Sequence, residues 1–125
     1  MAVHESAENY LETILLLSKK SDAVHSIDIA KELGFSKASV SVAMKKLRDG
    51  EYITVDANGS IALTGKGAEA AEQIYERHAT FYDWFIRLGV SESIAAADAC
   101  RIEHILHEET FTAIKSHITS SLKQE

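Results

Sequence analysis

A single hairpin signal does most to limit what this chain can fold into. Tyr52-Ile53-Thr54-Val55 and Ser60-Ile61-Ala62-Leu63 are runs of strand-forming residue types. Between them, Asp56-Ala57-Asn58-Gly59 contains the Asn-Gly pair that favours a tight β-turn. Elsewhere the apolar residues recur at helical spacing, and proline is absent, so nothing breaks a helix from within. The hairpin therefore has to be placed among helices.

Residues 5–20 are predicted helical, with Tyr10, Leu11, Ile14, Leu15 and Leu17 at helical spacing. Glu5, Glu8 and Glu12 favour its N-terminal half, and Lys19 and Lys20 its C-terminus. After Ser21-Asp22, Ser26 is the expected N-cap of a second helix, Ile27 to Leu33, which Gly34 ends in a left-handed conformation. Ser36 is the expected N-cap of a third helix, with Val40, Val42, Ala43, Met44 and Leu47 partly apolar-facing and Gly50 at its end. Beyond the hairpin, Thr64 is expected to cap a long helix reaching about Leu88, ended by Gly89. Ser91 starts a helix through about Leu106, and a last helix covers roughly 108–123.

Helix, helix, short turn, helix, two-stranded hairpin is the order of a winged helix-turn-helix, with 36–49 as the recognition helix that enters the major groove. Ser36, Lys37, Ser39 and Ser41 offer small hydroxyls and a cation near its start. Lys45 and Lys46 add charge to the phosphate-facing side. The net charge of −6 argues against indiscriminate nucleic-acid binding, yet from Ser36 to Gly50 the cations Lys37, Lys45, Lys46 and Arg48 face Asp49 alone. The plainer alternative is a helical bundle with an incidental hairpin and a solvated basic face.

The chain's 125 residues, 46% of them apolar, suit one compact domain or a small domain with a dimerising extension. No apolar run approaches the roughly 20 residues that span a bilayer. The N-terminus lacks a secretory pattern, and a lone cysteine fits a reducing compartment, so a cytoplasmic location without membrane association is expected.

That cysteine is Cys100, in Asp98-Ala99-Cys100-Arg101-Ile102-Glu103-His104. The stretch reads as helix, where residues three and four apart share a face. A sulfur, a carboxylate and an imidazole on one face are donors to first-row transition metals. A lone helical cysteine is more often a small buried hydrophobe; Glu103 and His104 at ligand spacing favour the metal reading. Phe81, Trp84 and Phe85 read as core or dimer interface, while His4, His25, His107 and His117 have no motif partner.

The same stretch resembles the metal-binding helix of the iron- and manganese-dependent repressors, the family of the diphtheria toxin repressor and the manganese transport regulator. Glu8-Asn9-Tyr10-Leu11-Glu12-Thr13-Ile14 is similar to its first helix, and Ile27-Asp28-Ile29-Ala30 with Ser39-Val40-Ser41 to its helix-turn-helix. Leu63-Thr64-Gly65-Lys66-Gly67 resembles the exit from its wing, and Arg77-His78 followed by Leu88-Gly89-Val90 its linking helix. The resemblance implies a mainly α fold: an N-terminal winged helix-turn-helix with a two-stranded wing over 1–72, then an α-helical metal-binding and dimerisation domain over 73–125. The chain length resembles the branch without an SH3-like third domain.

By the same resemblance the chain is expected to be a homodimeric transcriptional repressor, not an enzyme. It would bind double-stranded operator DNA of pseudo-palindromic sequence when loaded with a divalent transition metal, Fe2+ or Mn2+. Co2+ and Zn2+ also suit its donors in vitro. Cys100, Glu103 and His104 match the iron-type site; Glu12 matches a ligand of the manganese branch; His78 matches a ligand of both. Asn9 stands where relatives place a methionine or an aspartate, and Tyr82 and Ala96 stand where the iron branch has two further ligands. The implied set, Asn9, Glu12, His78, Cys100, Glu103 and His104, is thus a hybrid of the two branches. Two other readings stand beside it: a winged-helix regulator answering an organic ligand or thiol oxidation, and a metal-dependent hydrolase, for which no nucleophile or paired general base is found.

Overall fold

The structure, a computed structural model, describes residues 5–123, with side chains from 7 to 121. His4 lies outside the described residues. The elements are α1 (Glu5–Lys20), α2 (Ser26–Leu33), α3 (Lys37–Asp49), β1 (Ile53–Val55), β2 (Ile61–Leu63), α4 (Gly65–Arg87), α5 (Glu92–Ile102) and α6 (Glu108–Lys123). The fold is mainly helical with a two-stranded wing, as the sequence predicts. Two compact units meet within α4: the first reaches Gln73 and the second begins at Ile74.

In the first unit, the periodicity of α1 buries Tyr10, Leu11, Ile14 and Leu15 on one stripe. The start of α2 differs from expectation by one residue. Its N-cap is His25, not Ser26, because Asp28 reaches back and accepts the His25 backbone N–H at 2.9 Å. Gly34 takes the left-handed conformation (φ 70°) that ends α2, and its N–H bonds the Ala30 carbonyl at 2.9 Å. Ser36 caps α3 by accepting the Ser39 N–H at 3.1 Å.

Along α3, Val40, Met44 and Leu47 are buried, but Val42 is 56% exposed, against the expectation that it faces inward. Two residues on from Val40, it is turned by roughly 200° around the helix, away from the core. Gly50 ends α3 at φ −82°, and Glu51 takes the positive φ that turns the chain into β1.

The wing is antiparallel, pairing Ile53 with Leu63, Thr54 with Ala62 and Val55 with Ile61. Asp56 accepts the N–H groups of Asn58 and Ser60 at 2.9 Å each, and Gly59 sits at φ 80°. Ile53 and Ile61 face the core, and the Ile61 N–H bonds the Val24 carbonyl at 2.7 Å, joining the wing to the segment before α2. At the wing exit, Thr64 caps α4 by accepting the Gly67 N–H at 3.1 Å while its hydroxyl donates to the Glu51 carbonyl at 2.7 Å. Gly67 has to be glycine: a Cβ there would lie 1.9 Å from the Tyr52 carbonyl oxygen.

In the second unit, Phe81, Ala99 and Phe111 form a small core, with Tyr82, Trp84, Phe85, Ile102, Leu106 and Ile114 packed around it. α5 stops at Ile102, short of the expected Leu106. Glu103 is its C-cap, and the next N–H groups fall back to shorter-range bonds, His104 to the Arg101 carbonyl at 3.5 Å and Ile105 to the Ile102 carbonyl at 3.2 Å. The physical reason is a tertiary donor: the Arg77 guanidinium bonds the carbonyls of Glu103 (3.1 Å) and Leu106 (2.7 Å), so the chain turns toward α6 instead of continuing the helix.

Candidate functional site

Glu103 is the centre of the second unit's polar interior. Its side chain is wholly buried. One carboxylate oxygen, Oε2, lies 2.9 Å from His78 Nδ1, and the other, Oε1, lies 3.1 Å from His104 Nε2. The His104 ring is 1% exposed and the His78 ring 30% exposed. α4 presents His78, whose ring stacks on Tyr82 at 6.3 Å between centroids and 8° between planes. The C-terminal end of α5 presents Glu103, its C-cap, and the turn that follows presents His104. Two imidazoles thus flank one carboxylate, and the site opens on the His78 side.

This donor chemistry fits a divalent transition metal. Imidazole nitrogen and carboxylate oxygen are ligands for ions of the Mn2+, Fe2+, Co2+ and Zn2+ series. A carboxylate removed from water is costly unless positive charge accompanies it. Cation and carboxylate would offset each other here, with the two imidazoles supplying the neighbouring donors.

Cys100, an exposed residue of α5, stands one turn before Glu103. Glu103, the C-cap of α5, is buried, and its N–H still bonds the Ala99 carbonyl at 3.2 Å, so it keeps its helical place three residues after Cys100. The helical bonding stops after Glu103, and His104 lies in the turn that Arg77 holds through the Glu103 and Leu106 carbonyls. Asn9 and Glu12, three residues apart on α1, share a face of that helix and are both half-buried.

The expected DNA contacts lie on the first unit. Ser36, Lys37, Ser39, Ser41, Lys45 and Lys46 are all exposed along α3. Ser36 is engaged locally: its hydroxyl lies 3.0 Å from that of Ser39 as well as capping the helix. Ser26, Ser41, Met44, Lys45, Arg48 and Val55 line a cleft of about 200 Å³ between α2, α3 and the wing. Two cations and two hydroxyls at its walls suit an oxyanion such as a backbone phosphate. Arg48 and Ser26 were not among the sequence-predicted contacts. Arg48 lies three residues after Lys45, which is the signal that places both on one face.

Arg77 is the other residue whose role the sequence did not disclose. Its guanidinium pairs with Glu108 at 2.9 Å besides holding the two carbonyls of the α5–α6 turn.

Comparison with known proteins covers nearly the whole chain. Residues 2–60 match the iron dependent repressor N-terminal DNA binding domain, and residues 64–121 match the iron dependent repressor metal binding and dimerisation domain. An uncharacterized HTH-type transcriptional regulator of Methanocaldococcus jannaschii is 33% identical over 113 residues, covering 89% of this chain and 90% of that protein. The transcriptional regulator MntR of Escherichia coli O6:H1 is 32% identical over 111 residues, covering 89% of this chain and 72% of its own length. Among solved structures, a manganese-dependent transcriptional repressor in complex with manganese superposes with a TM-score of 0.81 at 23% identity. The IdeR of T. acidophilum superposes with a TM-score of 0.78 at 23% identity. The chain covers only 52% and 55% of those two structures, and at that identity the likeness is one of fold.

Proposed function

Because the chain belongs to the iron-dependent repressor family of metal-dependent transcriptional regulators, we propose that it represses transcription by binding operator DNA as a homodimer when loaded with Fe2+ or Mn2+, and so controls metal homeostasis. The observation that carries the metal reading is the buried Glu103 carboxylate flanked by His78 and His104. We assign the ligands to these three residues, to Cys100, and to Asn9 and Glu12 of α1. A bound divalent cation would supply the positive charge that a buried carboxylate lacks.

The rest follows from where the protein's own groups sit in the chain. Asn9 and Glu12 belong to the helix that packs with α2 and α3, and Glu103 and His104 belong to the dimerisation unit. Ligation drawn from both units would restrict the freedom of the recognition helix α3. The DNA-competent arrangement then binds metal more tightly than the others, and by linkage DNA tightens metal binding by the same factor. A two-fold dimer reads half-sites separated by about one helical turn, on the order of 34 Å, or a multiple of it. Lys37, Lys45, Lys46 and Arg48 supply the phosphate contacts, and Ser39 and Ser41 reach base edges or phosphates. Metal identity turns on the hybrid donor set: the Cys100 thiolate favours Fe2+, Co2+ or Zn2+, and Glu12 and Asn9 favour Mn2+.

A gel-shift assay on an operator selected from random sequence tests this. Affinity is expected to rise with Mn2+ or Fe2+ and to fall on chelation. Unchanged affinity after chelation would overturn the metal switch. A second reading, thiol-based regulation, is favoured by one observation, the exposure of Cys100. In that case Cys100→Ser abolishes a response to oxidant and leaves any metal response intact.

A further inference from the structure

Neighbouring residues of α4 hold Glu103 at opposite ends. His78 meets its carboxylate at 2.9 Å, while Arg77 donates to its backbone carbonyl at 3.1 Å. The same guanidinium continues to the Leu106 carbonyl at 2.7 Å and the Glu108 carboxylate at 2.9 Å, and it lies 5.1 Å from the centre of the Phe111 ring. The Arg77 side chain is 11% exposed, whereas that of Glu108 is 71% exposed. We propose that Arg77 is a positioning residue for the metal site: it fixes the turn after α5 so that the Glu103 carboxylate and the His104 imidazole are held in place before any ion arrives. The proposal rests on the metal-regulator reading above.

Three features carry it. The turn has little regular backbone bonding of its own, since the N–H groups of residues 104 and 105 reach back only three residues, at 3.5 and 3.2 Å. Carbonyls past the end of a helix have no helical donor, and Arg77 supplies one to residues 103 and 106. Only a planar, forked cation reaches two carbonyls and a carboxylate together; a lysine ammonium at the same position is a compact point charge on a flexible stem. Arg77 and Glu103 therefore behave as one unit, in which the arginine sets the backbone and the backbone aims the ligand.

The test uses the full chain. Mn2+ affinity is measured by titration calorimetry, and amide hydrogen exchange is followed on the metal-free protein. Arg77→Lys keeps the charge and loses the fork; the Kd for Mn2+ is expected to rise about 10–100-fold, the range for loss of a group that orients a ligand. In the same variant, the amides of residues 103–107 are expected to exchange faster without metal. Glu108→Gln removes the charged partner but leaves the carbonyl bonds, and a smaller rise in Kd is expected. Ile118→Ala, at a buried α6 position three turns beyond the loop, is expected to lower Tm and leave Kd unchanged.

An unchanged Kd in Arg77→Lys overturns the proposal, as does a rise in Ile118→Ala that matches it. If Arg77→Lys does not fold, an unchanged Kd in Glu108→Gln overturns it instead. If the wild-type chain binds no Mn2+, the regulator reading fails. Binding by wild type with Arg77→Lys unaffected sinks only the positioning role.

Discussion

The two units bury different things. In the first, the large side chains removed wholly from water are Leu11, Ile14, Ile29, Ile53 and Val40, all apolar, and polar groups cap its helices and close the wing turn. In the second, a comparably buried set includes Phe81 beside Glu103, with Arg77 close by. Apolar burial stabilises a shape whatever is bound. A buried carboxylate does the opposite: its energy depends on the charge that joins it. The first unit is thus built to keep one form, and the second to change its stability with its occupant.

The largest expected effect tests the apolar side of this contrast. Leu11→Ala removes a fully buried side chain from the first unit's core, and urea unfolding should register a loss of about 2–5 kcal/mol. A loss well below that range would mean the core relaxes, and the claim of a fixed form would weaken. The next tests the charged side. At an Mn2+ concentration 100 times its Kd, the wild type should gain about 2.7 kcal/mol of stability. Glu103→Gln should lose that gain, while its metal-free Tm stays level or rises because a buried charge has become a neutral amide. A metal-free Glu103→Gln protein that is strongly destabilised would show the carboxylate to be structural and erase the contrast. The smallest effect concerns the first unit's surface. Lys45→Gln and Arg48→Gln should each lower the slope of log K against log salt by about 1, with metal dependence retained. A slope unchanged in Arg48→Gln would remove the cleft between α2, α3 and the wing from the DNA contact surface.

Features decided within a few residues were legible in the sequence. The bounds of α1, the left-handed Gly34, the Ser36 and Thr64 caps and the Asn58-Gly59 turn all follow from local rules, and all appear in the structure. Where a distant residue decides, the reading slipped. The helix from Ser91 read as reaching Leu106, but α5 ends at Ile102 with Glu103 as its C-cap, where Arg77, more than 20 positions earlier in the chain, bonds the carbonyls of Glu103 and Leu106. Val42 looked core-facing because valine is apolar; its angle around α3 exposes it. Even the local rules competed at α2, where Asp28 at the third position outweighed the Ser26 hydroxyl as the marker of the helix start. His78 was named as a ligand by resemblance alone, and its contact with Glu103 across 25 residues carried no signal in local spacing.

The close approach of Gly67 to Tyr52 gives the wing a fixed base and an adjustable tip. The Tyr52 carbonyl accepts the Thr64 N–H at 3.0 Å in the same place where Gly67 leaves no room for a side chain, so the two ends of the hairpin are clamped backbone to backbone. Nothing of that kind constrains residues 56–59, which are held by the turn's own hydrogen bonds. Residues inserted at the tip would lengthen the wing without moving its anchor, which makes that turn the place to attach a reporter or redesign how far the protein reaches along DNA.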